Sequence, residues 1–393
     1  MKYGIFASIL TALFALSCTA EPVTEQEVQE SAITVDPSEL TIPAQGGSAA
    51  AFLNSEGSWS AKPLSGTDWI KSISPTFGNG GEAATIKVTA DQNASKELRT
   101  AQIEFTCGSS KDTLTVSQEP DPNAGTLNGK KICAIGNSFV YYGSFVKNGS
   151  QRETDSGLMF SICKAMGETV SVYDCAYGGH NLNDYTSAGC DEGCTIGDHL
   201  AGVPLNDIDI VFLSESGSNN SAFLTDIHNV MKRFTKKGVK FYYLCHSYTY
   251  DKNHTHILNG LATLKEEGVT IVPWGHLVYD VWKGKTGVPG SKVVYTKDTI
   301  IVNQSSSDGF HPNPLSGYIT ALMSYCALTG RSAVGMPYDF VESSIKESNF
   351  SAFISKYYGN ATSKTSNFPS VFASASDMKG LQTLVDEYLA LGE

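Results

Sequence analysis

Ser138, in Ile135-Gly136-Asn137-Ser138-Phe139, and the pair Asp308 and His311, in Asp308-Gly309-Phe310-His311-Pro312, are the residues of this 393-residue chain whose types and spacing could do chemistry together. An Asp three residues before a His can steer an imidazole and stabilise its charged form. An imidazole held in that way can take the proton of a serine hydroxyl and turn it into a nucleophile. The chemistry would be acyl transfer. Taken singly, each piece has an ordinary explanation: a Gly-x-Ser after a strand is a common turn, and an Asp-x-x-His is often a surface hydrogen bond. Their order along the chain and the elements that hold them carry the argument.

Those elements lie in the C-terminal two thirds. Lys131 to Gly136 is a continuous apolar strand that delivers Ser138. The sequence then predicts a helix near Gly157 to Met166, a strand Thr169 to Cys175 and a strand Ile208 to Leu213. A helix Ala222 to Phe234, a strand Val239 to Cys245, a helix His256 to Glu267 and a strand Val269 to Val272 follow. Near-continuous apolar strands alternating with helices imply a parallel sheet covered on both faces. Ligands of such sheets bind beyond the carboxyl ends of the strands, where Ser138 falls. Asn313-Pro314 suits a helix start two residues after His311, with the helix running to about Leu328, and a last amphipathic helix is expected from Asp377 to Leu391.

Upstream the rhythm differs. Short alternating runs (Ile33 to Val35, Ala49 to Leu53, Trp69 to Ile73, Ala84 to Thr89, Ala101 to Thr106, Thr113 to Val116) are separated by Gly-rich turns, the pattern of a small antiparallel sandwich. With Ser58-Trp59-Ser60-Ala61, Asp68-Trp69-Ile70, Asn93, Arg99 and the closing Leu114-Thr115-Val116-Ser117-Gln118, this stretch resembles a BACON domain. That resemblance implies an immunoglobulin-like module often placed before glycan-active bacterial enzymes. Trp59 and Trp69 could stack on sugars; both are expected in the core of so small a sandwich.

The C-terminal domain, over roughly residues 130–330, resembles the SGNH (GDSL-type) hydrolases, whose four short blocks fall in fixed order. The first is Gly136-Asn137-Ser138-Phe139, which departs from Gly-Asp-Ser-Leu by Asn and Phe. The second is Tyr177-Gly178-Gly179-His180, the third Gly217-Ser218-Asn219-Asn220, and the fourth Asp308-Gly309-Phe310-His311-Pro312. The resemblance implies a three-layer, flavodoxin-like α/β fold with Ser138 as nucleophile, His311 as general base and Asp308 as its orienting acid. The Ser138 N–H, Gly179 and Asn219 would serve as oxyanion donors. Ser214-Glu215-Ser216 lengthens the approach to the third block by about a residue, which leaves Ser216 as the alternative occupant of that position.

Composition bounds the partners. With 28 basic and 40 acidic residues the formal charge is −12. That argues against nucleic acid and anionic membrane surfaces, which need a basic face, and leaves neutral polymers open. Lys2, the short apolar run Ile5 to Leu16 and Ala15-Leu16-Ser17-Cys18 look like a bacterial lipoprotein signal peptide, so that Cys18 becomes the acylated first residue of an exported, membrane-anchored protein. The division expected is 1–17 signal peptide, 18–31 tether, 32–119 sandwich, 120–129 linker and 130–393 hydrolase domain. Cys190 and Cys194, in a polar loop, are the best local disulfide candidates, while Cys133, Cys163, Cys175, Cys245 and Cys326 read as small buried hydrophobes. Neither metal nor cofactor is expected: Cys190 and Cys194 lack two further ligands at metal-site spacing, and around His246, His254 and His256 only Asp251 offers a carboxylate. Those histidines, with Tyr248, Tyr250 and Trp274, are read as loop packing at the active-site end, a substrate-contacting wall being the alternative. The expected substrate is an O-acetyl or similar ester on a polysaccharide. The alternatives are a glycan-binding lipoprotein whose hydrolase domain is degenerate, and an acyltransferase or lipase on the same residues.

Overall fold

A computed structural model describes residues 33–143, 145–146, 153–186, 198–215, 222–301, 311–341, 343 and 371–391. The N-terminal region contributes nine strands: β1 (Ile33–Asp36), β2 (Glu39–Ile42), β3 (Gly47–Ser55), β4 (Trp59–Ser65), β5 (Ile70–Ser74), β6 (Phe77–Gly78), β7 (Ala84–Ala90), β8 (Arg99–Cys107) and β9 (Ser110–Gln118). They form two sheets, β1-β3-β7-β5 and β2-β9-β8-β4-β6. Period-two alternation turns Ile103 and Phe105 of β8 and Leu114 and Val116 of β9 inward, to share one core with Leu53 of β3 and Ile86 and Val88 of β7. Trp59 is buried, edge-on to Phe105 at 6.1 Å. Trp69, expected in the core as well, is only half-buried. It sits at the start of the edge strand β5, where the rim of the core ends, and the Arg99 guanidinium covers its ring at 4.8 Å.

The remainder is α/β. Strands β10 (Lys130–Gly136), β11 (Glu153–Thr154), β12 (Val170–Ala176), β13 (Ile210–Leu213), β14 (Lys240–Leu244) and β15 (Thr270–Val272) make one sheet in the order β11-β12-β10-β13-β14-β15. All neighbours run parallel except the β11 edge. The five parallel strands thus follow the order 2-1-3-4-5 of doubly wound sheets, whose crevice opens between the first strand and the third. β10 is central, and its alternation sorts side chains to two cores. Ile132 and Ala134 join one apolar cluster, Cys133 and Ile135 the other, as a strand covered on both faces requires.

The helices are α1 (Ser138–Tyr141), α2 (Leu158–Ala165), α3 (Phe223–Met231), α4 (Ser247–Asp251), α5 (Thr255–Glu266), α6 (Trp274–Trp282), α7 (Lys297–Ile300), α8 (Pro314–Thr329) and α9 (Ala375–Ala390). α8 is buried along nearly its whole length. Two of its internal hydroxyls find partners one turn back, Thr320 Oγ1 donating to the Ser316 carbonyl at 2.7 Å and Thr329 Oγ1 to that of Tyr325 at 2.8 Å. Asn313 caps it, its Oδ1 accepting from the N–H groups of Leu315 (2.9 Å) and Ser316 (3.1 Å).

The segment joining the two regions is tied down at both ends. Asp121 pairs with Arg331 Nε at 2.8 Å, both side chains almost wholly buried. Arg331 also donates to the Tyr325 hydroxyl, which donates to Glu168 (3.4 Å), and the other oxygen of Glu168 accepts the Leu127 N–H at 3.0 Å. Among the described residues no helix is long and apolar enough to cross a membrane, and the expected signal peptide, Cys18, Cys190 and Cys194 lie outside them. Cys107, Cys133, Cys163, Cys175, Cys245 and Cys326 are buried, and among the described residues none forms a disulfide.

Candidate active site

β10 ends at Gly136 because the chain passes too close to its neighbours for any side chain. A Cβ there would meet Val140 Cγ2 at 2.6 Å and Ser214 Cβ at 3.1 Å. Asn137 then caps the one-turn helix α1, its Oδ1 accepting the Phe139 N–H at 3.1 Å. Ser138 is the first residue of that turn. His311, 173 positions along the chain, puts its Nε2 2.9 Å from Ser138 Oγ. This is hydrogen-bond distance for a nucleophile and its base. The imidazole sits against two rings, Phe139 at 5.1 Å and Tyr142 at 4.2 Å between centroids, which restrict its rotation and shield it from water.

The separation of the two partners is set by backbone. Gly143, just beyond the nucleophile's turn, and Gly317, in the first turns of α8, touch directly: a Cβ on Gly317 would lie 2.5 Å from the Gly143 carbonyl carbon. With Asn313 fixing where α8 begins, this contact fixes how far His311 stands from Ser138.

Gly179 belongs to a turn at the carboxyl end of β12, closed by the His180 N–H donating to the Tyr177 carbonyl at 3.4 Å. Its φ of +77° is the left-handed value that the third residue of a type II turn requires. Gly178 is fixed by crowding, since a Cβ would fall 2.6 Å from the Tyr141 hydroxyl. Burial first, and Tyr142 beside it, push the Tyr141 pKa up to about 12, so that hydroxyl stays protonated. The turn is latched to the nucleophile's strand by Asn137 Nδ2, which donates to the His180 carbonyl at 2.9 Å.

Of the residues expected from sequence, Ser138, His311 and Gly179 are therefore found at the carboxyl ends of β10 and β12 and just before α8. Asp308, Asn219 and Ser216 lie outside the described residues.

Three further residues are part of the arrangement. Tyr185 is fully buried and donates to the Gly136 carbonyl at 2.6 Å while accepting the Tyr177 N–H at 3.3 Å, so one hydroxyl joins the ends of both strands. Burial drives its pKa well up. Glu215 is buried where β13 ends and accepts the Leu182 N–H at 2.9 Å. An acid directly after an apolar strand was the signal available for it; Tyr185 had none. His246, expected as loop packing, is wholly buried, with its ring 4.1 Å from that of Phe139 and edge-on to Trp274 at 4.9 Å. Its Nδ1 accepts the Tyr248 N–H at 2.8 Å, and burial, with His311 nearby, pushes its pKa well down. Tyr248 stacks on Phe139 at 5.8 Å and Tyr250 on His276 at 4.6 Å, so these aromatics pack among themselves on helices rather than in a loop. Among the described residues no group of three or more His, Cys, Asp or Glu side chains could hold a metal ion.

Residues 57–119 match the BACON family, described as "Putative binding domain, N-terminal". No curated protein matches the chain. Among solved structures, a Bacteroides ovatus GH5 xyloglucanase in complex with a XXXG heptasaccharide is 11% identical, covering 76% of this chain and 61% of that one, with a TM-score of 0.21. A Bacteroides thetaiotaomicron protein solved by NMR is 19% identical over 22% of this chain and 78% of its own (TM-score 0.16). WR4, a C. elegans MSP family member, is 15% identical over 23% and 97% (TM-score 0.18).

Proposed function

We propose that the chain is a serine esterase of the SGNH type that removes acetyl or similarly small acyl groups from a polysaccharide. The observation that carries this reading is the 2.9 Å contact between His311 Nε2 and Ser138 Oγ at the crevice of a doubly wound sheet. In the reaction, Ser138 attacks the ester carbonyl while His311 takes its proton. The oxyanion is met by backbone N–H groups at Ser138 and Gly179, and Asn219 adds a side-chain donor. His311 then protonates the leaving alcohol and activates the water that releases the acid. Asp308 orients the imidazole. Removing one oxyanion donor costs such enzymes about 100- to 1000-fold in turnover.

The match to a binding-domain family is compatible with a glycan substrate, the sandwich serving mainly as a spacer, with Trp59 buried in its core and the Trp69 ring covered by Arg99. Lipidation at Cys18 would anchor the exported enzyme at a bacterial membrane. Neither a cofactor nor nucleic acid enters this scheme.

The test is a fluorophosphonate probe together with p-nitrophenyl acetate hydrolysis and acetate release from acetylated glycans. Wild type should be labelled and active, and Ser138→Ala neither. A wild-type protein that binds glycan but is never labelled would make it a binding protein on a degenerate hydrolase domain. Acetyl appearing on an added sugar instead of in solution would make it an acyltransferase.

A further inference from the structure

We propose that Asn137, the position at which this chain departs from Gly-Asp-Ser, is the positioning residue that registers the oxyanion turn against the nucleophile, and that the departure is required by the geometry of this site. The inference rests on the esterase reading above and deepens it.

The amide of Asn137 is used at both ends. Oδ1 accepts the Phe139 N–H at 3.1 Å and so holds the turn that presents Ser138. Nδ2 donates to the His180 carbonyl at 2.9 Å and so holds the far side of the Tyr177–His180 turn that carries Gly179. The side chain is 3% exposed, so water does not stand in for either partner. An aspartate has the same shape and could still accept from Phe139. Its second oxygen would face the His180 carbonyl oxygen, acceptor against acceptor, in a buried place. The carboxylate would push the Gly179 turn away from Ser138, whereas the amide draws it in.

Neighbouring latches leave this one distinct. Tyr185 joins the strand ends below the turn, and Glu215 holds the Leu182 N–H beyond it. Both of these contacts fall on residues flanking the segment between Gly178 and His180. The titratable groups facing this region are Tyr177 and His180 on the turn, His199 against both rings, Asp184 on the Asn181 N–H, Tyr141 on α1, Tyr185 and Glu215 beneath, and His311 and His246 on the far side of Phe139. All are present in both proteins, so the comparison is made as a ratio of variant to wild type at each pH.

The test is Asn137→Asp compared with wild type from pH 8 to pH 5. At pH 8 kcat should fall roughly 10- to 100-fold with KM little changed, because the lost register acts on the oxyanion and not on ground-state binding. As the introduced carboxyl takes up a proton it regains a donor, and the ratio of variant to wild-type kcat should climb back to within a few-fold by pH 5. A merely structural role would lower activity by a constant factor. The difference in melting temperature between the two proteins, followed over the same range, reads the contact without reference to activity and should shrink on acidification. A labelled, active wild type with pH-independent ratios overturns the inference and leaves the esterase reading standing. An unlabelled wild type overturns that reading, and the melting difference then decides whether the contact exists.

Discussion

Gly317→Ala asks whether backbone contact alone sets the catalytic distance. The new Cβ would overlap the Gly143 carbonyl oxygen, its nearest neighbour, and stand 2.5 Å from the carbonyl carbon, whereas ordinary contact begins at 3.4 Å, so the two segments must part by more than the roughly 0.9 Å that the carbon alone demands. The atoms of Gly143 that it would meet are all backbone, which cannot swing aside as a side chain can. Transmitted to His311, six residues earlier, an opening of that size would stretch the 2.9 Å bond to Ser138 beyond hydrogen-bond range. Misplacement by 1 Å costs about 100-fold in rate. Alanine would gain about 1 kcal/mol of helix propensity over glycine, against about 1–3 kcal/mol for overpacking, so stability should also fall, with the melting temperature down by a few degrees. The reciprocal Gly143→Ala is gentler, since its Cβ would come no nearer than 2.9 Å to Gly317 Cα and 3.2 Å to Pro312 Cβ. Rates of p-nitrophenyl acetate hydrolysis and thermal melts of both variants give a graded result: a large loss in Gly317→Ala and a smaller one in Gly143→Ala. If Gly317→Ala keeps more than a third of wild-type kcat at an unchanged melting temperature, the distance is set by something else.

Tyr185→Phe removes the hydroxyl that joins the ends of β10 and β12. Stability should drop by about 1 kcal/mol, the net worth of a buried hydrogen bond, and kcat should fall more than KM rises; urea titration and steady-state kinetics check the two parts. His246→Asn keeps an acceptor where Nδ1 stood, while removing a group whose folded pKa burial holds well below the ordinary value near 6.5. The unfolded chain binds that proton first, so the stability linked to His246 is complete above pH about 6.5 and is lost as pH falls from there toward the folded value. Melts from pH 7.5 to 5 should be flatter in the variant, and parallel curves would remove His246 from the acid sensitivity.

What could be read in advance followed what local pattern encodes. The central strands announced themselves because burial on both faces demands unbroken apolar runs, and the start of α8 was marked by Asn313-Pro314, a cap and a first-turn proline whose roles are local. Ser138, Gly179 and His311 were legible because each stands directly beside such a boundary. Tyr185 was not. Its role depends on where a hydroxyl lands after the chain has folded back between two strands, and nothing in Leu182 to Tyr185 encodes that landing. α6 is hard to read for another reason: its helical period, Trp274, Leu277, Val278 and Val281, begins immediately after a short edge strand, so the apolar run of the strand passes into that of the helix with only Pro273 between them. His246, expected as loop packing, does pack in the short loop between β14 and α4, and what covers it is Phe139, the residue after Ser138.

The pairing of Asp121 with Arg331, continued through Tyr325 and Glu168 to the Leu127 N–H, bears on where this gene should be cut. A fragment that begins at Lys130 keeps the whole parallel sheet but deletes Asp121 and Leu127, leaving Arg331 almost wholly buried without its counter-charge and Glu168 without the Leu127 N–H. Stripping one partner from a buried ion pair costs about 3–5 kcal/mol, a large share of the stability of an ordinary domain. A fragment that begins at Glu119 retains both contacts and is the one to express when the α/β region is wanted without its sandwich.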